Sequence, residues 1–457
     1  MEISDSITTK RFARAFPVQE HLKLQLDRVH QQSRFRTSIE VFRQSTMEYL
    51  PLNSDLNEIR LLTFLPGDSQ SEICCTLQHA SLINPPTYVA LSYCWGNPAV
   101  TKPIVVNDVS IQVTTNLESA LRHLRIKGYS CLWIDAVCIH QEDLTEKNEQ
   151  LSLMSSIYRR ASSVAAWIGE DEHDSSEALD FLVGIHESQL QIDLVKAEIS
   201  ESGDKERRWT GRGAGGYDSS GSSLYSSDSS TSRPTTPLKV SKKTKRQSPA
   251  SLLTNHSLRH AFTNLLARPY WTRVWVIQEL ALSKFTTFHC GQRSFSWTQL
   301  LDILSTTSSF NPKWRRNQLH PGFGWIDEDK TPTYTHPALI NAQNLARFQQ
   351  DASANRPISL LNALIRTMNS ESTNPLDKVF ALTSLTCDSA AYIPLPNYRQ
   401  SLKEACVAIT LFVIATKSSL DPVALLAPGP NNSPGLPSWA PNWFALDDTY
   451  SRQLQYL

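Results

Sequence analysis

From Tyr88 to His186 short apolar runs alternate with amphipathic stretches, and that alternation leaves few architectures open. Tyr88-Val-Ala-Leu-Ser-Tyr93 reads as a strand stopped by Cys94-Trp-Gly-Asn-Pro98, where glycine and Asn-Pro end extended backbone. Thr115-Asn-Leu-Glu118 has capping-box spacing, and Leu117, Ala120, Leu121 and Leu124 then form a helical stripe. Cys131 to Asp135 is a buried-strand run, Thr145 to Ala161 a helix, Val164 to Ile168 a further strand, and Ser175 to His186 a further helix. Strands separated by helices of this length predict a three-layer α/β domain with a parallel sheet covered on both faces. Ligands of such sheets bind beyond the carboxyl ends of the strands, here Ser92 to Gly96, Asp135 to Gln141, and Gly169 to Glu170.

Upstream, Ile59 to Leu65 and Ile73 to Leu77 flank Pro66-Gly-Asp68 as a hairpin, and Ile104 to Val106 and Val109 to Val113 form a second about Asn107-Asp108. Residues 1–50 are polar, and 51–285 form the α/β domain. The stretch 198–250 is rich in Ser, Gly and Thr, cannot bury a core, and reads as a disordered insertion. Its Gly211-Arg-Gly-Ala-Gly-Gly216 matches GxGxxG without the strand and helix that a dinucleotide site needs. Thr236-Pro237 and Ser248-Pro249 are candidate phosphorylation sites. Residues 286–457 read as a mainly helical lobe after a strand at Phe285 to Cys290, with helices near 297–305, 340–348, 358–368, 377–382 and 402–415 and a docked Leu436-Pro-Ser-Trp-Ala-Pro-Asn-Trp443 segment.

Lysines plus arginines number 44, as do aspartates plus glutamates, so the overall field favours neither nucleic acid nor an acidic membrane as partner. The basic run Lys239 to Arg246 is the local exception and a candidate nuclear address. The eight cysteines lack a CxxC pair and sit mostly in apolar runs, which predicts reduced thiols and no metal site. Met1 to Arg14 lacks a signal peptide's apolar core. The longest apolar run, Ala405 to Thr416, is too short for a membrane span, which takes roughly 20 residues. A soluble cytoplasmic protein is the expectation.

Pro269-Tyr-Trp-Thr-Arg-Val-Trp-Val-Ile-Gln-Glu-Leu280 concentrates tryptophans, an arginine and a carboxylate within three helical turns. Read as one helix begun by Pro269, it places Trp271 and Trp275 one turn apart. Glu279 is then either a solvated residue of a core helix or a carboxylate held at a pocket edge. Ser92 lacks a partner histidine and a GxSxG setting, so it is a poor nucleophile candidate, and His140 beside Cys138 lacks companions for a metal.

Taken in order, Tyr88 to Gly96, Leu132 to Gln141 with Glu146 to Gln150, and Trp271 to Glu279 resemble the three signature blocks of the fungal heterokaryon-incompatibility (HET) domain. Weaker likeness continues through Asp377 to Leu382 and Leu436 to Pro441. The resemblance implies a protein of nonself recognition that triggers programmed cell death. It acts with a protein partner such as an incompatibility receptor, or as a homo-oligomer. HET domains are considered distantly similar to TIR domains, which implies a TIR- or flavodoxin-like sheet. Since some TIR domains cleave NAD with a helix-borne glutamate, it also implies Glu279 as catalytic carboxylate with NAD as substrate. Ser92, Tyr93, Trp95, Gly96, Asp135, Gln141, Arg273, Trp275 and Gln278 would line the substrate site. In that chemistry Trp95 or Trp275 stacks on nicotinamide, and Arg273 pairs with phosphate or with Glu279. Asp135 either orients a ribose hydroxyl or caps the amides of Val137 to His140. The alternative is a module that assembles without catalysis, or a scaffold.

Overall fold

The structure is a computed structural model that describes residues 47–172, 174–190, 193, 255–309, 337–389, 396–417 and 435–444. The chain divides into Met1–Glu48 and Tyr49–Leu457, and the fold described is that of the second unit. The GxGxxG stretch, the basic run and both candidate phosphorylation sites lie outside the described residues.

Nine strands form one sheet: β1 (Glu58–Phe64), β2 (Cys74–Ser81), β3 (Val89–Tyr93), β4 (Thr101–Val106), β5 (Val109–Thr114), β6 (Cys131–Trp133), β7 (Ser163–Trp167), β8 (Thr286–Cys290) and β9 (Arg293–Ser296). Their spatial order is β5-β4-β2-β1-β6-β3-β7-β8-β9. The helices are α1 (Thr115–Ile126), α2 (Asp135–Cys138), α3 (Leu144–Arg160), α4 (175–190), α5 (His256–Leu266), α6 (Val274–Ala281), α7 (Trp297–Ser309), α8 (Pro337–Ser353), α9 (Leu360–Arg366), α10 (Asp377–Thr383) and α11 (Leu402–Lys417). None of these described helices is long and apolar enough to cross a membrane. All eight cysteines are free thiols.

The expected parallel sheet is corrected to a mixed one. Parallel pairing holds through the centre, β6-β3-β7-β8, where β3 and β7 run in register from Val89 opposite Ser163 to Tyr93 opposite Trp167. Antiparallel pairs add strands on both sides: β1 with β2 and β6, β4 with β5, and β9 with β8. For β4–β5 and β8–β9 the cause is turn length, because a two-residue connection can join only antiparallel strands. Asn107 and Asp108 make such a connection between β4 and β5, both left-handed at φ 50° and φ 64°. Because β8 and β9 belong to this sheet, the domain boundary expected at 285 falls within it.

Successive strand residues face opposite sides, so a run of buried residues means both faces are covered. Ala90 to Tyr93 in β3 and Val164 to Trp167 in β7 are such runs. At the edge, β5 alternates between half-buried and exposed residues, the pattern of a strand with one wet face. The cap of α1 sits one residue earlier than its spacing suggests. Thr114 is the N-cap, and Glu118 instead turns inward to accept from Arg122 and, at 3.1 Å, from Lys102.

Arg60 on β1 is 2% exposed and grips the loop that leads into α3. Its guanidinium donates to both Glu146 oxygens, at 2.6 and 2.9 Å, and to the carbonyls of Cys138 and Leu50. A buried pair broken on one side leaves an uncompensated charge, so Arg60→Met is expected to cost about 3 kcal/mol in urea unfolding. Adding Glu146→Gln should recover part of that loss. Equal midpoints for Arg60→Met and wild type would show that the pair does not hold the loop.

Candidate functional site

The carboxyl ends of β3 and β6 open onto a cavity of about 870 Å³. Its wall includes Cys94, Trp95 and Gly96 after β3, Asp135 and Gln141 after β6, and Arg273 and Trp275 at the entry to α6. The turn after β3 has Gly96 at φ 78°. That left-handed backbone favours a residue without a Cβ. Asn116 braces the same turn, donating to the Cys94 carbonyl at 2.6 Å and accepting from Trp167 Nε1 at 2.9 Å.

The single helix expected from Pro269 is broken in two. Pro269–Thr272 forms one 3₁₀ turn, Arg273 is extended at φ −71° and ψ 125°, and α6 starts at Val274. The break has a partner, since Arg273 and Glu371 form a parallel bridge in which Val274 N–H donates to the Glu371 carbonyl at 3.0 Å. The two tryptophans therefore diverge. Trp271 is buried, donates to the Leu265 carbonyl at 2.9 Å and packs on Phe288, whereas Trp275 faces the cavity.

Three groups interlock on the cavity wall. Trp95 Nε1 donates to Asp135 Oδ2 at 2.8 Å, and the Arg273 guanidinium lies 3.8 Å from the same oxygen and 5.8 Å from the Trp95 ring centre. Arg273 also donates to the Tyr93 carbonyl, tying α6 to the end of β3. The other Asp135 oxygen accepts from Ala136 N–H at 2.8 Å, and Gln141 donates to the Asp135 carbonyl at 2.7 Å. The amides of Val137 and Cys138 bond to the Ile134 carbonyl and that of Ile139 to the Asp135 carbonyl, while His140 N–H meets Glu146. The expected alternative of an Asp135 side-chain cap over 137–140 is thereby corrected.

Glu279 lies behind this wall and is not solvated. It is 2% exposed, accepts from Ser92 Oγ, and does not belong to the cavity lining. Ser92, itself fully buried, also pairs with Tyr270 OH at 2.8 Å. Tyr93 is buried beside Asp135, and burial lifts its phenol far above the ordinary value. Gln278 is buried too, and the amide orientation that satisfies both its ends donates to the Ala381 carbonyl and accepts from Ser155 N–H. Of the residues named from sequence, Trp95, Gly96, Asp135, Gln141, Arg273 and Trp275 therefore share one cavity, while Ser92, Tyr93, Gln278 and Glu279 support it from behind.

The sequence reading missed Tyr270, Asn116, Lys147, the 371–375 loop, Asp377 and Tyr398. Lys147 and Tyr270 stood inside quoted stretches, Glu146 to Gln150 and Pro269 to Leu280, without being singled out, and Asp377 belonged to the weaker C-terminal resemblance. Among the described residues no group of three or more His, Cys, Asp or Glu is placed to hold a metal.

Burial pushes the Glu279 carboxyl up to about 7, with Arg273 and the Ser92 hydroxyl opposing and Asp135 reinforcing. A raised carboxyl contributes stability that is complete below its unfolded value near 4.5 and lost as pH climbs through 7. Relative to Glu279→Gln, the wild type should therefore lose about 3 kcal/mol between those limits and little more above them. Urea midpoints for both proteins from pH 4.5 to 8 measure this, and a constant difference would mean that Glu279 titrates like an exposed carboxyl.

A family model described as heterokaryon incompatibility protein (HET) matches residues 88–279. The chain is 27% identical over 442 residues to heterokaryon incompatibility protein 6, OR allele, of Neurospora crassa, an alignment covering 89% of this chain and 61% of that protein. The chain thus spans about three fifths of that relative's length. No solved structure matches it. The matched segment opens at β3 and closes at Glu279, so it takes in both strand ends and the broken helix that form this wall, and it is over this segment that the chain is similar to the heterokaryon incompatibility (HET) family.

Proposed function

We propose that this protein acts in fungal vegetative incompatibility, where its HET domain triggers cell death by cleaving NAD at the nicotinamide–ribose bond. The observation that carries the reading is the cavity at the strand ends, which joins an aromatic ring, a guanidinium and a carboxylate on one wall. Its volume of about 870 Å³ suits a ligand of dinucleotide size. Breaking the glycosidic bond builds oxocarbenium character, which a nearby carboxylate stabilises. Asp135 is the cavity carboxylate that lies at the strand ends, with Trp95 fixed beside it as a surface for nicotinamide. Glu279 contributes from behind β3, through Ser92 and the field it shares with Arg273. For Glu279 to meet the sugar itself, the Ser92 and Tyr270 contacts have to open.

That enclosure favours a second reading, in which the domain signals by assembling with an incompatibility receptor or with its own copies and turns over nothing. NAD consumption by the purified chain, free and clustered through a fused oligomerisation domain, separates the two. The enzymatic reading expects turnover in the clustered wild type and a fall of at least about 100-fold in Asp135→Asn and Glu279→Ala. Wild-type activity no higher than that of Glu279→Ala in either state leaves assembly as the function.

A further inference from the structure

A second polar cluster stands in the same cavity, formed by Lys147, Asp377 and Tyr398. Tyr398 OH donates to Asp377 Oδ1 at 2.5 Å, and the Trp275 side chain lies beside the same carboxylate. The Lys147 ammonium lies 5.6 Å from the Tyr398 ring centre and within the field of Asp377, yet forms no direct ion pair among the described residues. Purely structural pairs in this protein close tightly: Arg60 sits 2.6 Å from Glu146, and Arg122 likewise grips Glu118. Lys147 instead stays open on the cavity wall. Its direction is fixed one residue earlier, where Arg60 clamps Glu146 at the start of α3.

An open ammonium asks for an anionic oxygen, and a half-occupied carboxylate held by a phenol asks for a hydroxyl donor. A ribose carrying phosphate presents both groups close together. Arg273 stands at the other side of the site, with one donor on the Tyr93 carbonyl and its charge beside Asp135 at 3.8 Å.

We propose that Lys147, Asp377 and Tyr398 form the subsite for the phosphoribosyl part of the nucleotide. Lys147 meets phosphate oxygens, Asp377 accepts from a ribose hydroxyl, and Tyr398 positions the Asp377 carboxylate. The proposal rests on the NAD reading above and joins Lys147, within the matched segment, to Asp377 and Tyr398, which lie beyond its end at 279. Burial raises the Asp377 carboxyl above its ordinary range, as expected of an acid that is not neutralised by a touching cation.

Titration calorimetry on the full chain tests this with carba-NAD, whose sugar-to-nicotinamide bond cannot be hydrolysed, and with nicotinamide riboside, which lacks phosphate. Lys147→Met should weaken carba-NAD about tenfold and leave the riboside unchanged. Asp377→Asn should weaken both about tenfold, and Tyr398→Phe should weaken both by less. Melting curves without ligand check that each variant folds, and if Asp377→Asn does not, Lys147→Met carries the test alone. If wild type binds carba-NAD, Asp135→Asn loses it, and Lys147→Met and Asp377→Asn bind normally, the subsite is wrong and the NAD site stands. If wild type binds no carba-NAD, the NAD reading fails and the subsite with it.

Discussion

Arg273 is where three parts of the chain meet. Its backbone is extended between a 3₁₀ turn and a helix because Thr272 to Val274 pairs with Glu371, and its guanidinium reaches back to the carbonyl that ends β3. The same group lies beside Asp135 and inside the field of Glu279, both of which hold it protonated against the cost of burial. A guanidinium taken out of water needs such company, and the two carboxylates need it in turn. Strand end, rim carboxylate and buried glutamate therefore share one side chain, while the backbone at the same residue ties in the C-terminal region. No neutral side chain could serve the first three.

The buried glutamates show how local geometry sets the outcome of desolvation. Glu118 and Glu146 each suffer burial, yet a guanidinium touches each one and both carboxyls fall below the ordinary range. Glu279 is buried more completely and has a hydroxyl as its direct donor, with Arg273 acting only from a distance, and its carboxyl rises to about 7. Contact strength decides the sign. The first two are struts, whereas the third keeps a proton balance close to neutrality, a property that marks functional carboxylates more often than structural ones.

What could be read in the sequence was whatever depends on neighbours along the chain. Periodicity placed β3, β6, β7 and β8, the helices near them and both early hairpins, since burial of an alternating or 3.6-residue pattern is a local property. Parallel pairing was extended too far, because an alternation of strands and helices says nothing about the strands added at the flanks. The helix through Arg273 was drawn unbroken for a related reason: propensity favours it, and only a partner distant in the chain, Glu371, overrides it. Six of the ten named site residues do share the cavity, since strand ends in such sheets converge. Tyr398 carried no signal at all. Its role arises entirely from the position of Asp377.

The helix α6 explains why the site cannot end where the family match ends. All eight residues from Val274 to Ala281 are buried, including Gln278 and Glu279, so the helix has no solvent-facing side. A helix covered all round must be enclosed by other elements, and here β3 and α3 cover part of it while α8 and α10 cover the remainder. Those last two lie far beyond residue 279 in the chain. Without them Gln278 would lose the Ala381 carbonyl, Trp275 would lose Asp377, and the extended backbone at Arg273 would lose its bridge to Glu371. The break that points Arg273 at Asp135 would then have nothing to hold it open. Residues after 279 are thus part of the structure that shapes the cavity wall, in the same physical sense as the strands that precede it.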